Sequence, residues 1–256
     1  MRRALRTSSV VAVACALLAL TAAAAVAATI TGDDGDNRLR GTRAADQIDA
    51  KGGRDRIRSL AGDDNVLAGP GADRVIAGNG DDVVDAGDGR DFAFGGKGND
   101  RLAGGEGADR LHGGDGNDEV DGGPGNDRMG GGKGDDRLTG GEGDDRIFAN
   151  HGADTIDGGP GNDDLWAMAR HDVRLDGDAT FDTLIGGEGD DRFHLRDGEA
   201  DRVDCGPGFD RALLDHRDVI VDASAEAPNG SCEQVDRRAP RNREDRTEIR
   251  GDRSAG

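Results

Sequence analysis

A nine-residue unit, repeated without a gap between Gly95 and Ile147, constrains the fold of this chain more than any other feature. The stretch reads GGKGNDRLA, GGEGADRLH, GGDGNDEVD, GGPGNDRMG, GGKGDDRLT and GGEGDDRI. When the positions are numbered 1 to 9, position 6 is Asp and position 8 is apolar. The same register extends from Gly32 to Leu165, with Asp at position 6 of every unit except the first, which has Asn37. We therefore expect one structural unit per nonapeptide.

Each unit combines a turn with a very short strand. Positions 1 to 6 hold glycine, acids and small residues, which favour a turn with positive φ. Positions 7 to 9 place one apolar side chain between two polar ones, the pattern of a short strand whose middle residue points inward. Because a three-residue strand is too short to be stable alone, neighbouring units must stack and share one apolar interior. The sequence predicts an all-β solenoid.

The unit resembles GGxGxDxUx, the glycine-rich nonapeptide of the calcium-binding repeat-in-toxin (RTX, hemolysin-type) family. The resemblance extends from Gly32 to about Leu213. It implies a right-handed parallel β-roll in which two units form one turn, so that units two repeats apart lie on the same side. It also implies multiple calcium ions between stacked loops, held by the position-6 aspartates and by loop carbonyl groups. The ligands that it implies are Asp64, Asp73, Asp82, Asp91, Asp100, Asp109, Asp118, Asp127, Asp136, Asp145, Asp154, Asp163, Asp182 and Asp191.

Repulsion between stacked aspartates indicates a bound metal independently of the resemblance. Stacking places one position-6 Asp above the next at roughly 4.8 Å, the spacing of adjacent strands. Two carboxylates at that distance repel by about 3 kcal/mol at an effective dielectric of about 20. A divalent cation between them would remove the repulsion, and hard oxygen ligands on a flexible loop favour calcium over magnesium. The alternative is a disordered acidic tract, which would not require an Asp two residues before each apolar position.

The composition agrees with a repeat protein. A net charge of -20, 45 glycines and 3% aromatic residues leave little for a conventional globular core. So acidic a chain repels phosphates, so we expect no nucleic acid partner.

Residues 1–28 have the features of a secretory signal peptide. Three arginines within residues 2–6 precede an apolar run from Val10 to Leu20, and residues 25–27 (AVA) fit an A-x-A cleavage site. The apolar run is short for a membrane span. We therefore expect a secreted, extracellular protein without stable membrane insertion. Lipidation of Cys15 is the alternative, but the apolar run continues beyond this residue, unlike in a lipoprotein signal.

The rest of the chain divides into five regions. They are degenerate repeats at 29–67, consensus calcium-binding repeats at 68–166, irregular repeats continuing the roll at 167–213, a C-terminal cap at 214–235 and a disordered tail at 236–256. Terminal repeats are commonly atypical because they cap the stack. Residues 167–176 are interpreted as a distorted unit with one extra residue, followed by a slipped unit at 196–204. Residues 219–221 are expected to add a last strand.

Cys205 and Cys232 are the two cysteines that remain once the signal peptide is removed. In an exported protein two thiols are expected to form a disulfide. Closing a loop of this length stabilises the fold by about 3 to 4 kcal/mol in the chain-entropy model. Free thiols or metal ligation are the alternatives.

The two predicted sheets differ in their outward residues. Positions 7 and 9 flank the inward residue, and reading every eighteenth residue separates one sheet from the other. One, which we call the arginine sheet, carries a possible partner face made of Arg56, Arg74, Arg110, Arg128, Arg146, Phe94, Phe148 and Trp166. The other, which we call the acidic sheet, carries Asp49, Asp85, Asp121 and Asp157 at position 9.

Arginines repeating at the strand spacing suit a repeating anionic polymer such as a glycan, and the aromatic residues offer a stacking surface. Two alternatives stay open for this face: the arginines balance the acidic loops, or the aromatic end contacts a second copy of the chain.

No catalytic motif is visible. The chain has neither HExxH nor GxSxG, and its 5 histidines are scattered. We therefore expect an exported calcium-binding protein that is not an enzyme and that folds on binding calcium. A calcium-dependent adhesive or polysaccharide-binding surface module is one alternative. A carbohydrate-acting enzyme, or an accessory module of one, is the other.

Overall fold

The computed structural model of the chain describes residues 26–167, 181–195, 200–221 and 231–238. In chain order the strands are β1 (Thr29–Thr31), β2 (Arg38–Arg40), β3 (Gln47–Asp49), β4 (Arg56–Ala61), β5 (Asn65–Leu67), β6 (Arg74–Asn79), β7 (Val83–Asp85), β8 (Phe92–Lys97), β9 (Arg101–Ala103), β10 (Arg110–Asp115), β11 (Glu119–Asp121), β12 (Arg128–Lys133), β13 (Arg137–Thr139), β14 (Arg146–His151), β15 (Thr155–Pro160), β16 (Asp164–Trp166), β17 (Thr183–Glu188), β18 (Arg192–Leu195), β19 (Arg202–Asp204), β20 (Arg211–Leu214), β21 (Val219–Ile220) and β22 (Gln234–Arg237). Within these ranges there is no helix, and hence none with the length and apolar character to cross a membrane.

The odd-numbered strands form one parallel sheet of 11 strands, the acidic sheet, and the even-numbered strands form the other, the arginine sheet. From β1 to β16, each paired residue lies 18 positions from its partner in the next coil, as Arg110 does from Arg128 and Leu111 from Met129. Two nonapeptides therefore make one turn of a solenoid of about 10 turns. The prediction of an all-β parallel solenoid is confirmed.

The core is a narrow column of apolar side chains between the two sheets. The middle residue of each short strand is buried, as at Leu102, Leu111, Val120 and Met129, while its neighbours at positions 7 and 9 lie on the outer faces. One apolar side chain per unit is enough because each coil also packs against the coils before and after it. The sheets thereby hold every loop at the same height as its equivalent in the next coil.

Glycines at positions 2 and 4 shape the loops. Gly96 and Gly98 have φ values of 127° and 118°, a region that residues with a Cβ rarely adopt. A Cβ on Gly98 would also lie 2.6 Å from the carbonyl carbon of Gly80 in the preceding coil. The repeat thus needs glycine both for the turn and for the close approach of stacked coils.

The spacing between equivalent residues changes in the irregular region. Hydrogen-bonded aspartates in equivalent positions are 18 residues apart at Asp136 and Asp154, but 28 apart at Asp154 and Asp182. Strand β15 pairs directly with β17, and β16 with β18. The spacing is therefore ten residues longer here than in the regular repeats, and the interpretation of 167–176 as a distorted unit falls almost entirely on residues that the structure does not describe. Residues 168–180 lie outside the described part of the chain.

Asp182 and Asp201 are 19 residues apart in the next hydrogen bond of the column, one more than in the regular repeats, as a slipped unit at 196–204 predicts.

Both sheets end in the C-terminal cap. The predicted strand at 219–221 is confirmed as β21, which pairs with β19. Strand β22 corrects the prediction of a disordered tail from residue 236, because it includes Asp236 and Arg237. Pairing with β20 explains the difference, because main-chain hydrogen bonds form whatever the polarity of the side chains. The rest of the tail from residue 239, and residues 1–25 of the expected signal peptide, lie outside the described ranges.

A disulfide joins Cys205 to Cys232, with the Cα atoms 5.3 Å apart across 27 residues of sequence. It links the end of β19 to the segment that leads into β22. The predicted disulfide is confirmed, and it closes the C-terminal end of the solenoid.

Candidate metal centre

The position-6 aspartates form two buried columns, one in each row of loops. Their side chains are almost inaccessible to solvent; Asp100 and Asp118, for example, are each 2% exposed. The structure places all the predicted ligands in these columns. Asp64, Asp82, Asp100, Asp118, Asp136, Asp154 and Asp182 follow one another in the column that precedes the acidic sheet, and Asp73, Asp91, Asp109, Asp127, Asp145, Asp163 and Asp191 in the column that precedes the arginine sheet.

One carboxylate oxygen of each Asp has a structural role. The main-chain N–H of Asp82 donates to Oδ1 of Asp100, and the N–H of Asp100 donates to Oδ1 of Asp118, both at 2.8 Å. The same bond recurs along both columns, so each Asp links its own coil to the preceding one. Hydrogen bonds of this kind, to a charged acceptor, are stronger than those between neutral groups.

The second carboxylate oxygen has no such partner. Within the described residues, no hydrogen-bond donor contacts the buried Oδ2 atom of Asp55, Asp64, Asp73, Asp82, Asp91, Asp100, Asp109, Asp118, Asp127, Asp136, Asp145, Asp163, Asp191 or Asp210. An ionised oxygen buried without a partner costs several kcal/mol. Each of these atoms therefore favours binding a proton or a cation.

The cost of burying these carboxylates is reflected in raised pKa values. Burial raises the pKa of Asp136 to about 8, and that of Asp100 to about 7. The hydrogen bond from the neighbouring main chain lowers the pKa, and the charges of adjacent column members raise it further. Burial is the larger cause, and repulsion between stacked carboxylates, the cause expected from the sequence, is the smaller one. Without a cation, these groups bind protons close to neutral pH.

The space beside Oδ2 is bordered by oxygen atoms and kept open by glycine. A Cβ on Gly95 would lie 2.7 Å from the carbonyl oxygen of Gly113 in the next coil, and closer still to Oδ2 of Asp100. Carboxylate and carbonyl oxygens are the ligands that calcium prefers, at flexible geometry. The residues present therefore fit calcium, with the position-6 carboxylates and glycine-loop carbonyl groups as the candidate ligands.

These candidate ligands combine side-chain with main-chain oxygens. Across the ranges that the structure describes, no group of three or more His, Cys, Asp or Glu side chains comes together at one point. Each coil contributes a single Asp to a column, so its neighbours at the same height are carbonyl groups of the loop.

In the first two units, the side chain at position 6 forms hydrogen bonds within its own loop. Asn37 replaces Asp, and its amide nitrogen donates to the carbonyl oxygens of Asp33 and Gly35. In the second unit, Oδ2 of Asp46 accepts a hydrogen bond from the main-chain nitrogen of Thr42 at 2.5 Å, and the Thr42 hydroxyl donates to Oδ1 at 3.0 Å. Both side chains find donors or acceptors within their own loops.

The columns extend beyond the predicted ligands. Asp46, Asp55, Asp201 and Asp210 are buried in the same alignment, and Asp46 and Asp55 could have been found from their position-6 register. Glu233 continues one column, since its Oε2 accepts the main-chain N–H of Asp210 at 2.8 Å. No repeat pattern surrounds Glu233, so the sequence gives no signal for this role.

The predicted partner face lies on the outside of the arginine sheet. Arg56 pairs with Arg74 in the parallel register, and Arg110, Arg128 and Arg146 stand in a row on consecutive strands. The aromatic residues Phe94, Phe148 and Trp166 occupy the neighbouring position-9 column. This face is separate from the aspartate columns, which lie in the loops.

Comparison with known proteins supports the repeat. The family model for the RTX calcium-binding nonapeptide repeat, described as comprising 4 copies, matches residues 31–66, 59–93, 94–129, 130–165 and 174–199. These ranges together cover more than half of the chain. The boundaries skip residues 166–173, within the stretch where the spacing is longer. No curated protein matches the chain.

Proposed function

Because the chain belongs to the family of RTX calcium-binding nonapeptide repeats, we propose that it is an exported protein that binds several calcium ions and folds on binding them. The observation that carries the proposal is the set of buried Oδ2 atoms without a donor. Asp100, Asp118 and Asp136 belong to this set in three successive coils. A cation at each such position supplies the charge that the protein itself does not provide.

In this proposal the main chain and the metal contact different oxygens of the same carboxylate. Oδ1 of Asp118 accepts the N–H of Asp100, which fixes the side chain across two coils. Oδ2 remains directed at the glycine-lined space, where calcium neutralises its charge. Since every coil repeats this arrangement, neutralising one coil also reduces the repulsion on its neighbours. Binding and folding are thus expected to be cooperative along the stack.

Because folding is expected to depend on calcium, export would decide where the chain folds. RTX repeat proteins are typically exported, and residues 1–28 fit a signal peptide. Where calcium is scarce, buried carboxylates disfavour the solenoid and the chain stays extended. Outside the cell, where calcium is plentiful, the same carboxylates bind metal and the chain folds.

Far-UV circular dichroism of the purified chain tests this function. We expect little strand signal in EDTA at pH 8, a β spectrum in millimolar calcium, and little change in millimolar magnesium, which prefers a stricter octahedron. Isothermal calorimetry then gives the number of ions bound. Equal order in EDTA and in calcium would refute folding on calcium binding, and calorimetry without heat would refute calcium binding itself.

The arginine sheet supports a second candidate function, calcium-dependent attachment to an acidic polymer. Arg110 and Arg128 form no ion pair within the described residues, so their charges are available to a partner. We propose binding without catalysis for this face, whose exposed groups are arginines and aromatic rings.

A further inference from the structure

Four arginines form a compact group on the outside of the arginine sheet, at its N-terminal end. Strands β2 and β4 begin RLR and RIR, so each has an exposed arginine at both position 7 and position 9. No other strand in the described ranges has arginine at both positions. Arg38 is in register with Arg56, and Arg40 with Arg58. We call these four residues the arginine grid.

The grid is small and has a defined end. Adjacent strands are roughly 4.8 Å apart, and alternate residues of one strand are roughly 6.6 Å apart. Arg74 on β6 extends the position-7 column by one strand, and its guanidinium lies 4.4 Å from the centroid of the Phe92 ring. Phe92 replaces arginine on the next strand and ends this column. The grid is therefore a local patch of like charge and not part of a continuous row.

The grid arginines lack the pairing that other exposed charges of the solenoid have. On the acidic sheet, for example, Arg101 pairs with Glu119 of the next coil. None of the four grid arginines forms an ion pair within the described residues. Asp33 and Asp36, in the loop before β2, accept main-chain N–H groups instead. Because like charges at the strand spacing repel, an anion between the arginines would stabilise this arrangement.

The coils that carry the grid are less acidic than the central coils. Residues 29–67 contain seven basic and eight acidic residues, whereas residues 68–166 contain nine basic and twenty-three acidic ones. The chain as a whole has a net charge of -20, which repels a polyanion. This repulsion is weakest at the N-terminal end, so a polyanion can approach the outward-facing arginines there.

We propose that the arginine grid binds a polysaccharide that carries sulfate or phosphate esters. Such an ester group presents three terminal oxygens, so one group above the centre of the grid can accept hydrogen bonds from arginines of both columns. A carboxylate has two oxygens, which a single guanidinium already pairs with. Esters repeated along one chain are favoured over a free anion, because each exposed contact is weak in water and linked contacts reinforce one another.

A polysaccharide is also favoured over a bilayer. Within the described residues, none of the exposed large apolar side chains lies on the arginine sheet, so this face offers no anchor that would enter a membrane. The inference deepens the second candidate function by giving the acidic polymer a site and a chemical class. It rests on the proposed function only in that calcium keeps the coils folded.

Calorimetry with a sulfated dextran oligosaccharide of defined length tests the site, using the full chain in excess calcium. The variant Arg40→Gln with Arg58→Gln removes the position-9 column of the grid. Its control, Arg101→Gln with Arg137→Gln, removes the same charge from position 7 of the acidic sheet. We expect the grid variant to bind at least about tenfold more weakly and the control to change by less than about twofold. Equal losses would overturn the site, because they would indicate general attraction or calcium bridging.

Two further variants ask whether the grid geometry matters. Arg40→Lys with Arg58→Lys keeps the charge and removes the forked donor, so we expect at least about threefold weaker binding. Native affinity in this variant would refute paired recognition. Arg110→Gln with Arg128→Gln should cost less than the grid variant. A loss as large would show that the polymer follows the whole sheet, and would overturn the grid as its site.

The choice of ligand tests the chemical class. A hyaluronate oligosaccharide with the same number of negative charges, all of them carboxylates, should bind at least about tenfold more weakly than the sulfated one. Equal affinity would refute the assignment to ester groups. Vesicles containing phosphatidylglycerol that bind the chain more tightly than the sulfated oligosaccharide would overturn the assignment to a polysaccharide.

Circular dichroism and calcium stoichiometry of every variant separate this inference from the proposed function. If the native chain is folded without calcium, folding on calcium binding fails while the comparison of variants still decides the grid. If all variants fold and bind calcium as the native chain does, and the grid variant keeps its affinity for the oligosaccharide, the grid proposal fails alone.

Discussion

The first two repeats and the central repeats all contribute strands to the solenoid, but their side chains at position 6 differ in hydrogen bonding. In the first unit the Asn37 amide donates to two carbonyl groups, and in the second Thr42 donates to Asp46. In the central units, Oδ2 of Asp100 and of Asp118 is equally buried but meets no donor in the described residues. The fold is therefore separable from the demand for metal, and a repeat can be part of the solenoid without being a candidate calcium site.

The difference arises from three positions of the unit. Thr42 and Ala44 occupy positions 2 and 4, where the central units have glycines such as Gly96 and Gly98 with positive φ. In the second unit, neither Thr42 nor Ala44 has positive φ, and the Thr42 N–H faces the carboxylate. Lys51 and Leu60 occupy position 2 in the third and fourth units and also have positive φ, and Oδ2 of Asp55 and Asp64 meets no donor. We infer that a positive φ at position 2 frees the carboxylate from the local N–H, and that Asp at position 6 then requires a cation.

Removing calcium should have the largest effect of the changes considered, and this effect should be greatest in the central units. Without metal, the hydrogen bonds from Asp82 to Asp100 and from Asp100 to Asp118 must hold carboxylates that have no counter-charge. We expect amide exchange in residues 95–147 to accelerate by at least about 100-fold in EDTA, as local opening becomes favourable. Hydrogen exchange read by mass spectrometry measures this. If protection from exchange is unchanged in EDTA, the central units do not depend on metal more than the first two units, and the comparison is wrong.

Acidification should partly replace calcium. The pKa of Asp136 is raised to about 8 and that of Asp145 to about 7, in both cases mainly by burial. A carboxyl group whose pKa is higher in the folded chain than in the unfolded one stabilises the fold at low pH, and this stabilisation is lost as the pH rises through the folded-state value.

In EDTA we therefore expect strand content to increase as the pH falls from 8 towards 5, measured by far-UV circular dichroism. In calcium the order should already be complete at pH 8. A metal-free chain that loses structure on acidification over this range would contradict the assigned burial of the columns.

A single substitution in the central units should remove one candidate site and keep the fold. In Asp118→Asn, the amide oxygen can still accept the N–H of Asp100, and the amide nitrogen can donate to loop carbonyl groups as Asn37 does. We expect calorimetry to show a lower calcium stoichiometry, with a β spectrum retained in calcium. The control is Asp115→Asn, an exposed carboxylate that pairs with Lys133. If the control loses as much bound calcium as Asp118→Asn, the column aspartates have no special role in binding it.

The reverse substitution should have the smallest effect. Asn37→Asp places a carboxylate against the carbonyl oxygens of Asp33 and Gly35 and removes the donor between them. The metal-free chain should lose about 1 to 3 kcal/mol of stability, because buried acceptors are left without a donor. In calcium the loss should be recovered, as shown by the thermal midpoint. Asn65→Asp, on the outer face of β5, is the control, and equal calcium dependence of both variants would contradict the comparison.

Much of this architecture follows from the period of the sequence alone. The apolar residue every ninth position fixes the strands, and pairing at a separation of 18 brings Arg110 beside Arg128 and Asp100 beside Asp118 without further information. The aspartate columns were predictable for the same reason, since a fixed period leaves one choice of register.

The remaining features depend on contacts that no period encodes. The depth of the carboxylates, which makes burial and not repulsion the main cause of their raised pKa, depends on how closely the coils stack. Strand β22 follows from pairing with β20 across a long separation in sequence.

A crystal structure grown in calcium, with anomalous scattering used to locate the ions, tests the metal demand of the columns most directly. Calcium binding in the columns predicts density at about 2.3 to 2.6 Å from Oδ2 of Asp100 and Asp118, and none beside Asn37. Carboxylates turned into solvent, with no density between successive coils of the central units, would contradict it.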